Sequence, residues 1–404
     1  MNKNRKTYLL VTLGWFIIVA ILGLTIRTLY VYPIGFNYKY ILHAHSHIAF
    51  LGWGFNALMI GLLSKFSKRP QSYDRLFWMT QICIFGFGIG FLTHGYHIIS
   101  ITFSTLFLFV SYFYAFRLNK ELNTQGKTPT VKFAKSSLFY LVIASIGPWA
   151  MGPIMAMKMI HSIPYFLGIF FYLHFTYNGF FVMAMIALLF KQMEDDGIEL
   201  PKNATQNFYY WTNIAVIPTY ALSTLWVKPH FLVYFIAFVS SAIQLIAFVR
   251  FYPAIRNVFQ EWQSTSSKLV KRLYFLAFWI FGIKLFIQLC SAFPIIADIG
   301  YKLKSYFVIG YLHLIFLGLF SLFFIGWHIH NKGFRENIIS KIGIYLFIIG
   351  FLLTEIILFG NGFLNWARLG IIPKSTTLMF YFSIFLPIGL ITFWIGQSSH
   401  KNQP

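Results

Sequence analysis

The chain carries twelve histidines, and their placement is its strongest chemical signal. His43, His45, His47, His94, His97, His161, His174, His230 and His313 all fall in or beside apolar stretches. An ionisable ring in hydrocarbon is costly, so several imidazoles from separate stretches at similar depth point to a shared partner. Neutral imidazole ligates iron, copper and zinc, which makes a metal or haem the economical partner. The two cysteines, Cys83 and Cys290, are too far apart in sequence for a thiolate cluster. Helical spacing divides the rings further. His43 and His47 share a helix face while His45 points away from them, so the three cannot hold one ion. His174, Tyr177 and Asn178 form one polar stripe at i, i+3 and i+4 among Phe, Leu, Met and Ala. Such a stripe belongs on the inside of a bundle.

The elements that must carry these rings are membrane helices. Of 404 residues 58% are hydrophobic, 21% aromatic and only 10% charged. Soluble domains run near a quarter charged, so a soluble globule, a disordered tail and a disulfide scaffold are excluded together. Uncharged stretches of membrane-spanning length recur along the whole chain. They predict an all-α, polytopic membrane protein with twelve transmembrane helices in a single integral domain, 1–404. The spans fall near 8–29, 40–63, 76–97, 99–117, 135–157, 163–190, 207–227, 230–250, 272–297, 305–330, 342–363 and 376–397. The uncharged run 76–116 is too long for one span and is divided near Gly95 to Ser100.

With the N-terminus inside, one set of inter-span segments holds 23 of the 32 lysines and arginines. The positive-inside rule then puts both termini in the cytoplasm, and nine of the histidines in or near the outer half of the membrane, leaving His328, His330 and His400 inward. The net charge of +22 is thereby topogenic and lipid-facing, with no nucleic-acid partner implied. Gly86, Gly88 and Gly90 sit mid-helix, where close helix packing, not phosphate binding, explains them. Lys284 and Glu355 lie at similar depth, as a structural ion pair or a proton route with Gln288 one turn on. No internal repeat is visible.

Four segments resemble the catalytic subunit of haem-copper oxidases, most closely the cbb3-type oxidases and nitric oxide reductases, and more loosely the NnrS family. The second span reads His45-Ser-His-Ile-Ala-Phe-Leu-Gly-Trp-Gly-Phe-Asn56-Ala-Leu, which is similar to the family's low-spin haem segment. The tenth reads Gly310-Tyr-Leu-His313-Leu-Ile-Phe-Leu-Gly318, similar to the family's Gly-His-x-His segment. The resemblance implies an oxidase subunit I-like bundle, with His45 and His313 as axial ligands of a low-spin haem, b-type by expectation. Filling both axial positions suits electron transfer without ligand binding.

The second redox centre departs from the pattern. Where the family carries the proximal histidine of a high-spin haem, this chain has Tyr311, either a phenolate ligand or an inert replacement. Of the family's three copper histidines, the resemblance keeps His174 and His230, with Phe231 at the third position. The implied function is a haem-binding and copper-binding oxidoreductase, passing electrons to, or binding, oxygen or nitric oxide. Tyr311 and Tyr177 would be polar partners at the gas site. Cytochrome c or quinol as electron donor, companion membrane subunits and surrounding lipids would be its partners, and a bacterial-type inner membrane its location. Two rivals stay open: a non-catalytic NnrS-like haem or copper protein serving nitric oxide tolerance or metal homeostasis, and a twelve-span transporter without cofactor.

Overall fold

The computed structural model describes residues 3–32, 34–264 and 266–398; His400 and the ends of the expected 1–404 domain lie outside them. The described residues form thirteen helices and no strand. Eleven are long and apolar enough to cross a membrane. They are α1 (Arg5–Thr28), α2 (Tyr38–Phe66), α3 (Pro70–His94), α4 (Ile98–Leu122), α5 (Pro129–Ala156), α6 (Ile163–Asp195), α8 (Phe231–Trp262), α9 (Lys268–Ser291), α11 (Lys304–His330), α12 (Ile338–Trp366) and α13 (Ser375–Ser398). Two shorter helices, α7 (Lys202–Val216) and α10 (Pro294–Lys302), complete the set. The protein is an all-α polytopic membrane bundle.

The count corrects the expected twelve by one. The seventh segment is no single long helix. The α7 winding stops at Val216, because Pro218 offers no N–H to continue it, and a 3-10 helix runs on over Pro218–Val227. The expected ninth span, 272–297, ends early, at Ser291, and Pro294 starts the separate α10; each other expected span has a long apolar helix at its place. The run 76–116 does divide, at Gly95, whose φ of +67° turns the chain between α3 and α4. An alanine-sized Cβ at Gly90 would meet Ser100 N at 2.7 Å, and one at Gly86 would strike the Phe103 ring, so those glycines serve α3–α4 packing. In α5 the winding breaks at Ser145, where Pro148 leaves the Ala144 carbonyl without its helical donor.

Three spans share a plan that the sequence did not reveal. In α2, α6 and α11 an α-helical first part ends at a histidine and a π-helix follows directly. The junctions are His47 before π1 (Ile48–Phe55), His174 before π2 (Phe175–Phe181) and His313 before π3 (Leu314–Ser321). π-Helices are rare and concentrate at functional sites. The three meet at the centre of the bundle. Phe50 of π1 lies 4.4 Å from Phe316 of π3 between ring centroids, and Phe181 of π2 lies 5.7 Å from Phe316. Trp53 of π1 donates to Ser321 Oγ of π3 at 3.0 Å and stacks on Phe16 of α1. Each such aromatic pair contributes about 0.5–1.5 kcal/mol beyond its area.

Burial divides the three spans at these junctions. From the π-helices onward nearly every residue is buried. Before them, of the described residues, only Ile41 and Ala44 are buried in Tyr38–His47, only His174 in Ile163–His174, and only Gly310 in Lys304–His313. The bundle is thus sealed on one side of the histidine layer and open-packed on the other.

At the end where α6 closes, one carboxylate ties three chain segments. Asp196 accepts from Trp262 Nε1 at 2.6 Å, His330 Nε2 at 2.8 Å and Gln192 Nε2 at 2.8 Å. Ser266 Oγ lies 3.0 Å from the other His330 nitrogen, Nδ1. Burial pushes the Asp196 carboxyl up, but these donors outweigh it and hold its pKa below the ordinary value. The stabilisation is therefore complete above the ordinary carboxyl pKa of about 4 and is lost as the pH falls below it. We expect Asp196→Ala to lower the melting temperature in detergent at pH 7, and the gap between variant and wild type to close below pH 4. A gap of the same size at pH 3 would remove the charge from the explanation.

Candidate functional site

His45 and His313 occupy adjacent spans of the histidine layer, within electrostatic range of one another. The His45 ring is fixed through Nδ1. His45 Nδ1 lies 2.9 Å from the Val19 carbonyl of α1, and the ring rests on Gly23, where a Cβ would come 3.0 Å from Cε1. That contact leaves room for no larger residue at 23. The carbonyl requires the proton on Nδ1, which turns the Nε2 lone pair outward. His313 Nδ1 lies 3.8 Å from Glu355 Oε1 of α12; neither that nitrogen nor either Glu355 oxygen has a hydrogen-bond partner, although all three atoms are enclosed. Nε2 of both histidines is engaged by no hydrogen bond. Of the His313 side-chain surface, 27% remains accessible.

Arg27, at the end of α1, is within electrostatic range of His45, His313 and Glu355. Sequence reasoning missed both Arg27 and the Glu355–His313 approach. Glu355 was matched with Lys284 by depth alone. The structure instead gives Lys284 to Gln288, Nζ to Oε1 at 2.7 Å one turn along α9, and turns Glu355 to His313. The expected Lys284–Glu355 pair does not form, because depth says nothing about which face of a helix meets which neighbour.

The residues expected at a copper site do not come together. His174 is buried and saturated: Nε2 lies 2.8 Å from the Val216 carbonyl and Nδ1 3.1 Å from Asn178 Nδ2. A neutral imidazole donating through one nitrogen and accepting through the other has no lone pair left for a metal. His230 is exposed, before the first residue of α8, with its ring against Phe231. Between Val216 and His230 runs the ten-residue 3-10 helix, about 20 Å at about 2 Å per residue. No group of three or more His, Cys, Asp or Glu side chains among the described residues could hold a metal ion.

Tyr311 and Tyr177 do meet, with ring centroids 6.3 Å apart between α11 and α6. The Tyr311 hydroxyl is enclosed without a partner. His47 and His97 have local partners. His47 Nδ1 lies 2.9 Å from the His43 carbonyl, and its Nε2 3.5 Å from the Tyr96 hydroxyl. His97 caps α4 together with Ser100. At the opposite end of the bundle, both His328 ring nitrogens are enclosed and unpartnered. Asn56, part of the haem-like segment, is a buried hub: it donates to the Gly52 carbonyl and accepts from Thr80 and Gln81.

Two imidazoles on separate spans, those of His45 and His313, are thus left without a hydrogen bond at Nε2, and among the described residues no three such side chains group around an ion. No protein-family model matches this chain, and no curated protein is significantly similar to it in sequence.

Proposed function

We propose that the chain is a haem-binding membrane protein of the haem-copper oxidase type, with His45 and His313 as axial ligands of a b-type haem and a second centre that has lost its copper. The observation that carries the proposal is the pairing of two interior imidazoles, each with Nδ1 turned to an oxygen atom and Nε2 free. Histidines that ligate metals almost always have their other nitrogen directed to a carbonyl or carboxylate in this way. Haem supplies one-electron chemistry when bound. The chain's part is to hold the rings: Val19 sets the His45 tautomer, Glu355 stands 3.8 Å from His313 Nδ1, Gly23 gives the His45 ring its place against α1, and Arg27 offers a cation for an acidic periphery.

Copper is not included, since His174 is saturated and His230 is remote. That same observation favours a haem protein that relays electrons or binds oxygen or nitric oxide, as in the NnrS-like alternative, over one that turns oxygen over with an oxidase's binuclear site. Tyr311 and Tyr177 close off the position where the second centre would stand.

The proposal places both termini in the cytoplasm of a bacterial-type inner membrane. The distribution of lysine and arginine requires an even number of crossings, and 202–227 supplies the twelfth. Its helix and 3-10 helix together reach about 42 Å at about 1.5 and 2 Å per residue, longer than the hydrocarbon thickness of roughly 30 Å.

The test is a reduced-minus-oxidised visible spectrum of the protein purified in detergent from cells amply supplied with haem, repeated with carbon monoxide. Low-spin bands are expected. An unchanged trace with carbon monoxide assigns electron relay, and a shift assigns gas binding. A haem-free spectrum overturns the proposal.

A further inference from the structure

A groove on the outside of the bundle, apart from the histidine layer, carries a second kind of site. It lies between α9 and α12 and encloses about 440 Å³. Its accessible floor is Leu276 and Ile348, over the buried Leu269 and Leu273, and its mouth holds Lys271 and Arg272. Arg272 Nη1 donates to the Tyr345 hydroxyl of α12 at 2.7 Å, which bridges the two helices across the mouth and fixes the guanidinium there. Lys268 stands one turn before Arg272 at the head of α9, adding a third cation. Beyond the floor the surface stays apolar: Phe275 and Trp279 are more than half exposed on α9, and Ile349 and Leu352 are exposed on α12.

We propose that this groove binds an anionic phospholipid, one acyl chain along the leucine floor and the phosphate between Lys271 and Arg272. The charge arrangement selects the occupant. A cluster of cations at the polar end of an apolar groove matches an amphiphile with a net negative head, whereas a zwitterionic lipid brings its own ammonium to the same place. An apolar peptide would gain nothing from the cations, and a free phosphate nothing from the floor. The proposal is independent of the haem reading.

Lipid retention and competition on the full-length protein in detergent test it, with phosphatidylglycerol, phosphatidylcholine and inorganic phosphate as probes. Wild type is expected to prefer phosphatidylglycerol about tenfold over phosphatidylcholine. Neutralising two cations next to an anionic head corresponds to a loss of about thirtyfold, expected for K271Q/R272Q. Leu276→Trp fills the groove while leaving every charge in place, and is expected to lose phosphatidylglycerol as well; it keeps the test decisive should the double variant fold poorly. Equal retention of the two lipids by wild type overturns the proposal. So does full retention by Leu276→Trp, or displacement by inorganic phosphate at equal concentration, which would indicate a headgroup pocket with no chain in the groove.

Discussion

His313→Ala and His45→Ala are each expected to abolish the low-spin haem bands, whereas His174→Ala leaves them in place. The asymmetry follows from the free nitrogens. On the proposed assignment each Nε2 would hold one side of the haem, so removing either would leave the group held by the other histidine alone. A single-histidine variant that still retained haem would then respond to carbon monoxide even where wild type does not. His174, with both nitrogens committed to Val216 and Asn178, contributes packing and hydrogen bonds only. Its loss is expected to destabilise by about 1–3 kcal/mol through the carbonyl and amide left unpaired. Optical spectra of the three purified variants decide the matter. Unchanged bands in both His45→Ala and His313→Ala would overturn the assignment of ligands, and loss of bands in His174→Ala alone would transfer it to π2.

Gly343→Leu is expected to have the largest effect on the fold itself. A Cβ at Gly343 would run into the Phe393 backbone nitrogen and lie 2.6 Å from the Gly389 carbonyl, and one at Gly389 would lie 2.7 Å from the Gly343 carbonyl. Gly350 meets Phe385 and Leu386 in the same manner, and Gly396 meets Ser340. The α12–α13 pair is therefore a backbone-to-backbone contact, with glycines seven residues apart on each helix. In a bilayer this close packing, not hydrophobic exclusion, is what holds helices together. Backbone atoms cannot rotate out of the way as a side chain can. The cost should exceed the roughly 1–3 kcal/mol typical of an overpacked core. Thermal unfolding in detergent measures it, and a Gly343→Leu melting temperature equal to wild type would mean that the two helices do not touch there.

Much of this was readable beforehand, for identifiable reasons. Span positions follow from hydropathy, and the turn at Gly95 follows from length. His45 and His313 were picked out by their neighbours in sequence, and the haem spectrum, not the fold, is what tests them. Other features depend on helix phase, which hydropathy does not encode. Nothing in the composition of 48–55, 175–181 or 314–321 distinguishes a π-helix from an α-helix, although each contains a glycine pressed by a neighbouring side chain: Gly54 by Phe181, Gly179 by Tyr140, Gly318 by Phe351. A winding error of that size rotates every later residue. Glu355 is a separate case: α12 and α9 are α-helical throughout, and depth alone could not say which neighbour its face meets. His174 illustrates the converse: the polar stripe was right, and its purpose proved to be mutual satisfaction with Asn178.

The three π-helices also bear on how such a chain can change over generations. A π-turn behaves as an α-helix into which one residue has been inserted. Losing a residue there lets the turn relax to ordinary winding, whereas losing one elsewhere in a span swings all that follows by about 100°. Insertions and deletions are thus survivable at the three places next to the histidines. The sealed half keeps its register while the rings turn to new directions, so heredity can revise the reactive layer of this bundle without reopening the barrier beneath it.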